Sequence, residues 1–137
     1  MAGSFSDFLE NELLDHVFGA AAYTAPGTIY LALLTAAPTD ASTGSTITEA
    51  NYTGYVRKSM TNNKTTFSTA ASGALNNAAA ITFAQCTAGS STVTHFAILD
   101  AASAGNILAW GDLTVSKMIT AGDIPEFAAA SLSISLN

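Results

Sequence analysis

TVTHFAILDAASAGNILAWGDL, residues 92–113, is the stretch from which the rest of the chain is read. In residues 92–99, Phe96 and Ile98 fall on one side of an extended chain and Val93, Ala97 and Leu99 on the other. Apolar residues on both sides predict a central strand covered on each face. The small residues AASAGN at 101–106 predict a turn, and ILAWGDL at 107–113 predicts a second strand. The two are expected to pair as an antiparallel hairpin.

Outward from that hairpin the chain reads mainly as short strands. TIYLALLT (28–35) is rich in β-formers and apolar on both faces, so it predicts a buried strand. YVRKSMT (55–61) predicts a strand with Val56 and Met60 on one face, and AAITFA (79–84) one with Ile81 and Phe83 together. Residues 65–68, 114–120 and 124–127 predict further short strands, with turns at Ser72-Gly73 and at Ala121-Gly122-Asp123. In the last segment, 131–136, Leu132, Ile134 and Leu136 alternate inward against Ser131, Ser133 and Ser135. Residues 38–51 are polar, rich in Thr, Ser and Gly, and without a period; they predict a long contact loop.

One segment is different. SFSDFLENELLDHVF (4–18) places Phe5, Phe8, Leu9, Leu13 and Val17 at spacings of three and four, the stripe of an amphipathic helix. Leu14 and Phe18 widen the stripe, and Asp7, Glu10, Asn11 and Asp15 take most of the other side. Ser4 with Asp7 has the form of a capping box, and Gly19 stands where a helix would end. The expected architecture is therefore mainly β: an antiparallel sandwich or barrel of about eight short strands with one N-terminal α-helix. A single domain over 1–137 is expected, with the helix in 1–19 and the sandwich in 28–137. The helix serves as a lid on the sheet or docks on a neighbouring subunit.

Only 10% of residues are charged, against about a quarter in ordinary soluble domains. A Ser, Thr and Ala surface with so little charge suits a protein packed against neighbours. The net charge is −6, and the bases Arg57, Lys58, Lys64 and Lys117 are scattered, so direct nucleic-acid binding is not expected. One cysteine, Cys86, excludes an internal disulfide framework. No apolar run nears twenty residues and no signal pattern opens the chain, so neither a membrane span nor export is expected.

Catalytic patterns are sparse. His16, Cys86 and His95 are the chain's few nucleophile or base candidates beyond hydroxyls. A Cys86–His95–Asp100 arrangement can be drawn, but nothing local activates the thiol, and the plain reading is a small half-buried cysteine beside a strand histidine. His16, near Glu12 and Asp15, reads as a surface residue rather than one of the three or four ligands a zinc ion needs. Asp100 and Asp112 follow strand ends or turns, where aspartate is ordinary. Phosphate-cradling glycine motifs are missing from the sequence. An enzyme is not expected, nor a cofactor or metal. The tyrosines Tyr23, Tyr30, Tyr52 and Tyr55 cluster in the first half and suit either a contact surface or sheet positions.

The order of these segments is similar to that of a known family. FLENELLDHVFG, AYTAPGTIYLALLTAAPTD, GYVRKSMT, NNAAAITFAQCTAG, TVTHFAILDAASAGNILAWGDL and KMITAGDIPEFAAASLSISL follow one another as in small virion proteins of tailed bacteriophages, often labelled phage tail fibre proteins. The resemblance spans nearly the whole chain and brings no catalytic motif. It implies a virion structural protein, assembled in the host bacterial cytoplasm. Size and shape favour a capsid decoration (cement) protein bridging capsomers, ahead of a tail-associated or short tail-fibre adaptor in host attachment. The implied partners are the major capsid protein or tail proteins, and further copies of the chain, a trimer by preference. The candidate contact residues are Phe5, Phe8, Leu9, Leu13 and Val17 of the helix, Thr39, Thr43 and Thr46 of the long loop, and Tyr52. Deleting residues 1–18 is expected to remove binding and leave the sandwich folded.

Overall fold

The hairpin forms as the sequence predicts. In a computed structural model that describes residues 3–136, β6 (Ser90–Leu99) pairs antiparallel with β7 (Ile107–Thr120). Their 100–106 connection is held by Asp100, whose carboxylate accepts from Asn106 N at 2.7 Å and Nδ2 at 2.9 Å. On one flank, β7 pairs with β1 (Gly3–Phe5). On the other, β6 pairs with β2 (Thr28–Leu34), which pairs with β3 (Lys58–Thr61). The result is a five-stranded antiparallel sheet in the order β1-β7-β6-β2-β3. Two small antiparallel sheets complete the β structure, β4 (Ala74–Asn76) with β9 (Ser133–Ser135) and β5 (Ile81–Thr82) with β8 (Glu126–Phe127). One helix, α1 (Asp7–Phe18), follows β1.

The large sheet is apolar on both faces, and each face has its own cover. Ile29, Leu31 and Leu33 of β2 join Phe96 and Ile98 of β6 in the main core, against Phe67, Ile81, Phe83 and Leu132 of the second layer. The intervening residues Ala32 and Leu34, with Ala97, Leu99 and Ile107, make a second cluster on the opposite face, covered by Ile47 and Trp110. The period-2 alternation of β2 therefore feeds two cores. The second layer is pinned by Asn77, which is 1% exposed. Its Nδ2 donates to the carbonyls of Ala79 and Ala128, and its Oδ1 accepts from Leu132 N at 2.8 Å. The Ser72-Gly73 turn forms as expected: both residues have positive φ (52° and 75°), and Ala71 and Ala74 exchange two backbone hydrogen bonds.

Several local expectations change, and residues 65–68, expected as a strand, form a turn with one isolated bridge from Phe67 to Asn77. Val93 lies in the Phe96 core rather than beside Ala97, because the β6–β7 register shifts between Val93 and His95. His95 faces Asp112 while Val93 faces Lys117, so β7 bulges there. Residues 114–120 are thus the continuation of β7 and not a separate strand. The strand expected over 55–61 begins at Lys58, which leaves Val56 exposed while Met60 is buried. At the C-terminus Leu132 is buried, but Leu136 is exposed.

The N-terminus is the largest correction. Ser4 does not cap the helix; it lies in β1 opposite Trp110, and Ser6 is the N-cap. Ser6 Oγ accepts from Leu9 N at 3.3 Å and donates to the Ile107 carbonyl, while Ser6 N donates to Leu108 O. Gly19 ends the helix in right-handed geometry, and Ala20 takes the left-handed φ of 56°. None of the helix residues is fully buried. Phe8 and Leu9 pack on the main core at the first turns, and the later turns leave the body of the protein.

Candidate interaction surface

The long loop is ordered by its own hydroxyls. Thr39 N donates to Ser42 Oγ at 2.9 Å, and four residues on, Thr43 N donates to Thr46 Oγ1 at 3.0 Å. In each turn the backbone closes in the opposite sense, Ser42 N to Thr39 O and Thr46 N to Thr43 O. Two successive Thr-x-x-Ser/Thr turns therefore stand where the sequence shows only a polar run. Beneath them, Ile47 packs on the second core, and Trp110 Nε1 donates to Asp40 Oδ1 at 3.0 Å.

One buried side chain adds a many-bonded tie between this loop and the rest. The side chain of Arg57, the chain's one arginine, is 5% exposed and pairs with Glu49 at 2.6 Å. Its Nε and Nη2 reach Glu49 Oε1; Nη1 donates to the carbonyls of Ala101 and Ala104, and Nη2 also to that of Gly44. All five guanidinium donors are thus engaged. The second carboxylate oxygen of Glu49 accepts from Tyr55 Oη at 2.6 Å, and that hydroxyl accepts from Leu33 N at 3.1 Å. Burial, followed by the hydrogen bond to the Glu49 carboxylate, pushes the Tyr55 phenol well above its ordinary range. The knot ties the long loop, the 100–106 turn and β2 into one unit. Gly44 crosses the turn so closely that a Cβ there meets the Ala104 carbonyl.

The sequence candidates separate on this framework. Thr39, Thr43 and Thr46 are exposed on the loop, and Val17 is exposed on α1. Phe5, Phe8, Leu9 and Leu13 are half-buried. Residues 1 and 2 of the N-terminal segment lie outside the described residues. Tyr52 leaves the set: it is 3% exposed, packs edge-on against Tyr55, and donates to Ala84 O at 3.1 Å. Of the titratable candidates, Cys86 is fully buried, with its thiol against the carbonyls of Ala88 and Gly89. His95 is a strand residue whose Nδ1 lies 2.8 Å from Thr94 Oγ1, and exposed His16 accepts from Tyr23 N. Asp100 is used to build its turn. Among the described residues no group of three or more His, Cys, Asp or Glu is placed to hold a metal, and no helix is long and apolar enough to cross a membrane.

Sequence reasoning missed the Arg57–Glu49–Tyr55 knot. The signal available was a lone arginine in a chain almost without charge, followed by the question of which carboxylate it meets. It also missed the exposed apolar residues Val115, Met118 and Ile124, which the bulge of β7 and the turn after it bring out.

What the geometry presents is a β framework with ordered, exposed loops. Residues 4–135 match the Gp80 family, described as podophage GP4 fiber I protein gp80. The chain belongs to that family. No curated protein gives a match. The family is one of phage fibre proteins, so the chain is a bacteriophage virion structural protein that associates with other proteins of the same particle. This agrees with the tail-fibre resemblance of the sequence. It does not support capsid decoration, the reading favoured on size and shape, and it favours the tail-associated alternative.

Proposed function

We propose that the chain is a tail-associated fibre component, present in several copies and acting by contact rather than catalysis. The family match across residues 4–135 carries this reading. The low charge of the chain, 10% of residues, supports a life in assembled form. The contact surface is the hydroxyl-rich face of the long loop, with Thr39, Thr43 and Thr46, together with the exposed end of α1. Because the Arg57 knot fixes the loop before binding, little ordering entropy opposes the contact. The partners are tail proteins of the same virion and further copies of the chain in closed symmetry, a trimer being the simplest fibre cross-section. Antibodies raised against the purified chain, applied to intact virions and viewed by electron microscopy, test the assignment. Labels gathered on tails support it; labels spread over the capsid overturn it.

A further inference from the structure

Residues 3–18 are anchored at one end. Strand β1 lies on β7 through Gly3, Ser4 and Phe5, opposite Gly111, Trp110 and Ala109. Ser6 follows, buried at 1% exposure; its Oγ donates to the Ile107 carbonyl and its N–H to Leu108 O at 3.1 Å. The same Oγ accepts from Leu9 N, so Ser6 both continues β1 and caps α1. Asp7 N donates to Asp40 O at 3.0 Å, and Phe8 and Leu9 rest half-buried on the main core. Beyond Leu9 the anchoring thins. Glu12 and Leu13 are half-buried, the other residues of α1 from Glu10 onward are exposed, and Phe18 at the tip reaches 83%.

The other end of this unit has a seam. Residues 19–27 form neither helix nor strand, and all are exposed except the half-buried Tyr23 and Pro26. Gly19, Ala21 and Tyr23 donate their backbone N–H groups back to Asp15 and His16 on the helix. Pro26 and Gly27 give their carbonyls to Asn62, which follows β3. Thr24 and Ala25 stand between the two sets, so a swing at these residues breaks none of these bonds. Fully extended, residues 19–27 reach about 30 Å. The body has its own cohesion. Strand β6 is paired along both edges, with β7 from Ser90 to Leu99 and with β2 from His95 to Leu99. The buried members of both hydrophobic clusters lie outside residues 3–18.

We propose that residues 3–18 are a strap that detaches from the β7 edge as one unit while the rest of the sheet stays folded. Segments with little buried apolar surface open in this way below the threshold of global unfolding. Because Ser6 belongs to both β1 and α1, losing its seat on Ile107 and Leu108 frees the two elements together. Closed, the strap covers β7 at 109–111, where an unpaired strand edge would otherwise offer its N–H and C=O groups to another chain. Open, it uncovers that edge and carries the apolar tip away from the body on its tether. The device is a property of the single chain and does not depend on where the protein sits in the virion.

The test is native-state hydrogen exchange of the full chain, followed residue by residue by NMR in urea concentrations below the unfolding transition. The Ser6 amide reports the seat on β7. The Glu10 amide, which donates to Ser6 O at 3.0 Å, reports the first turn of α1, and the amides of Phe96 and Ala97 report the sheet. Burial alone predicts equal protection for Ser6 and Phe96, since both are fully buried. The strap predicts otherwise: Ser6 and Glu10 converge on one protection factor as urea rises, at least about tenfold below that of Phe96 and Ala97 and with a shallower urea dependence. A Ser6 amide protected to within about tenfold of Phe96 and Ala97 overturns the proposal. So do openings of Ser6 and Glu10 that never converge, which is fraying of the helix and not release of a unit.

Discussion

At the scale of single residues, the chain depends on a few polar side chains that replace a larger charged surface. Arg57 is the clearest: it spends every donor on one carboxylate and three carbonyls. Replacing it with Met leaves the Glu49 carboxylate beside Tyr55 with no cation, and removing one partner of a buried pair costs about 3–5 kcal/mol. Glu49 retains 23% side-chain exposure, so the expected loss in urea unfolding is about 3 kcal/mol, the lower end of that range. A loss below about 1 kcal/mol, the scale of surface pairs, would contradict the knot. Arg57→Lys is expected to recover less than half, because an ammonium cannot span the carboxylate and the carbonyls as the planar fork does. Tyr55 gives a pH signature. Its phenol is raised in the folded state, so the stability it contributes is complete below the ordinary tyrosine value of 10.0 and declines as pH rises beyond it, where only the unfolded chain ionises. In an alkaline titration followed by phenolate absorbance, Tyr55 is expected to ionise only together with loss of the fold. The Tyr55→Phe variant identifies its share of the signal. Reversible ionisation of Tyr55 near 10 with the circular dichroism intact would contradict the account.

At the scale of elements, legibility followed the range of the interactions. Strand β2 and the β6–β7 hairpin were readable because their alternation and turn residues are local. The Ser72-Gly73 turn was readable for the same reason. The helix was visible, but its cap was misplaced: SFSD offers two serines, and the pairing of Ser4 with Trp110, more than a hundred residues away, decides for Ser6. Deleting residues 1–18 therefore removes an edge strand and the core contacts of Phe8 and Leu9 as well as the exposed tip. The candidate contact residues Thr39, Thr43 and Thr46 were legible as part of a polar run, whereas the order within that run was not. It depends on hydroxyl bonds across three residues and on an arginine beyond the loop. The crossing at Gly44 tests that order. Gly44→Ala sets a methyl group against the Ala104 carbonyl backbone, and overpacking of this kind is expected to lower stability by about 1–3 kcal/mol in chemical denaturation. The thermal melt of an unaffected Gly44→Ala variant would show that the loop does not lie across the turn.

At the scale of the whole molecule, the nine strands and one helix of the described residues give a framework whose buried polar side chains are committed internally. Among the described residues no buried side-chain nitrogen or oxygen lacks a partner, as the cost of burying an unpaired polar group requires. The chemistry-bearing residues picked out from the sequence are absorbed in structural roles: Cys86 in the core, Asp100 in a turn, His95 in a strand. Membership of the Gp80 family connects that framework to the virion. As a proposed fibre protein of the tail, the chain is expected on tails and not on heads. The most direct test is its copy number, by quantitative mass spectrometry, in separated tails and heads of purified virions. The account predicts a small fixed number per particle, confined to tails. Hundreds of copies on heads, or absence from both fractions, would contradict it.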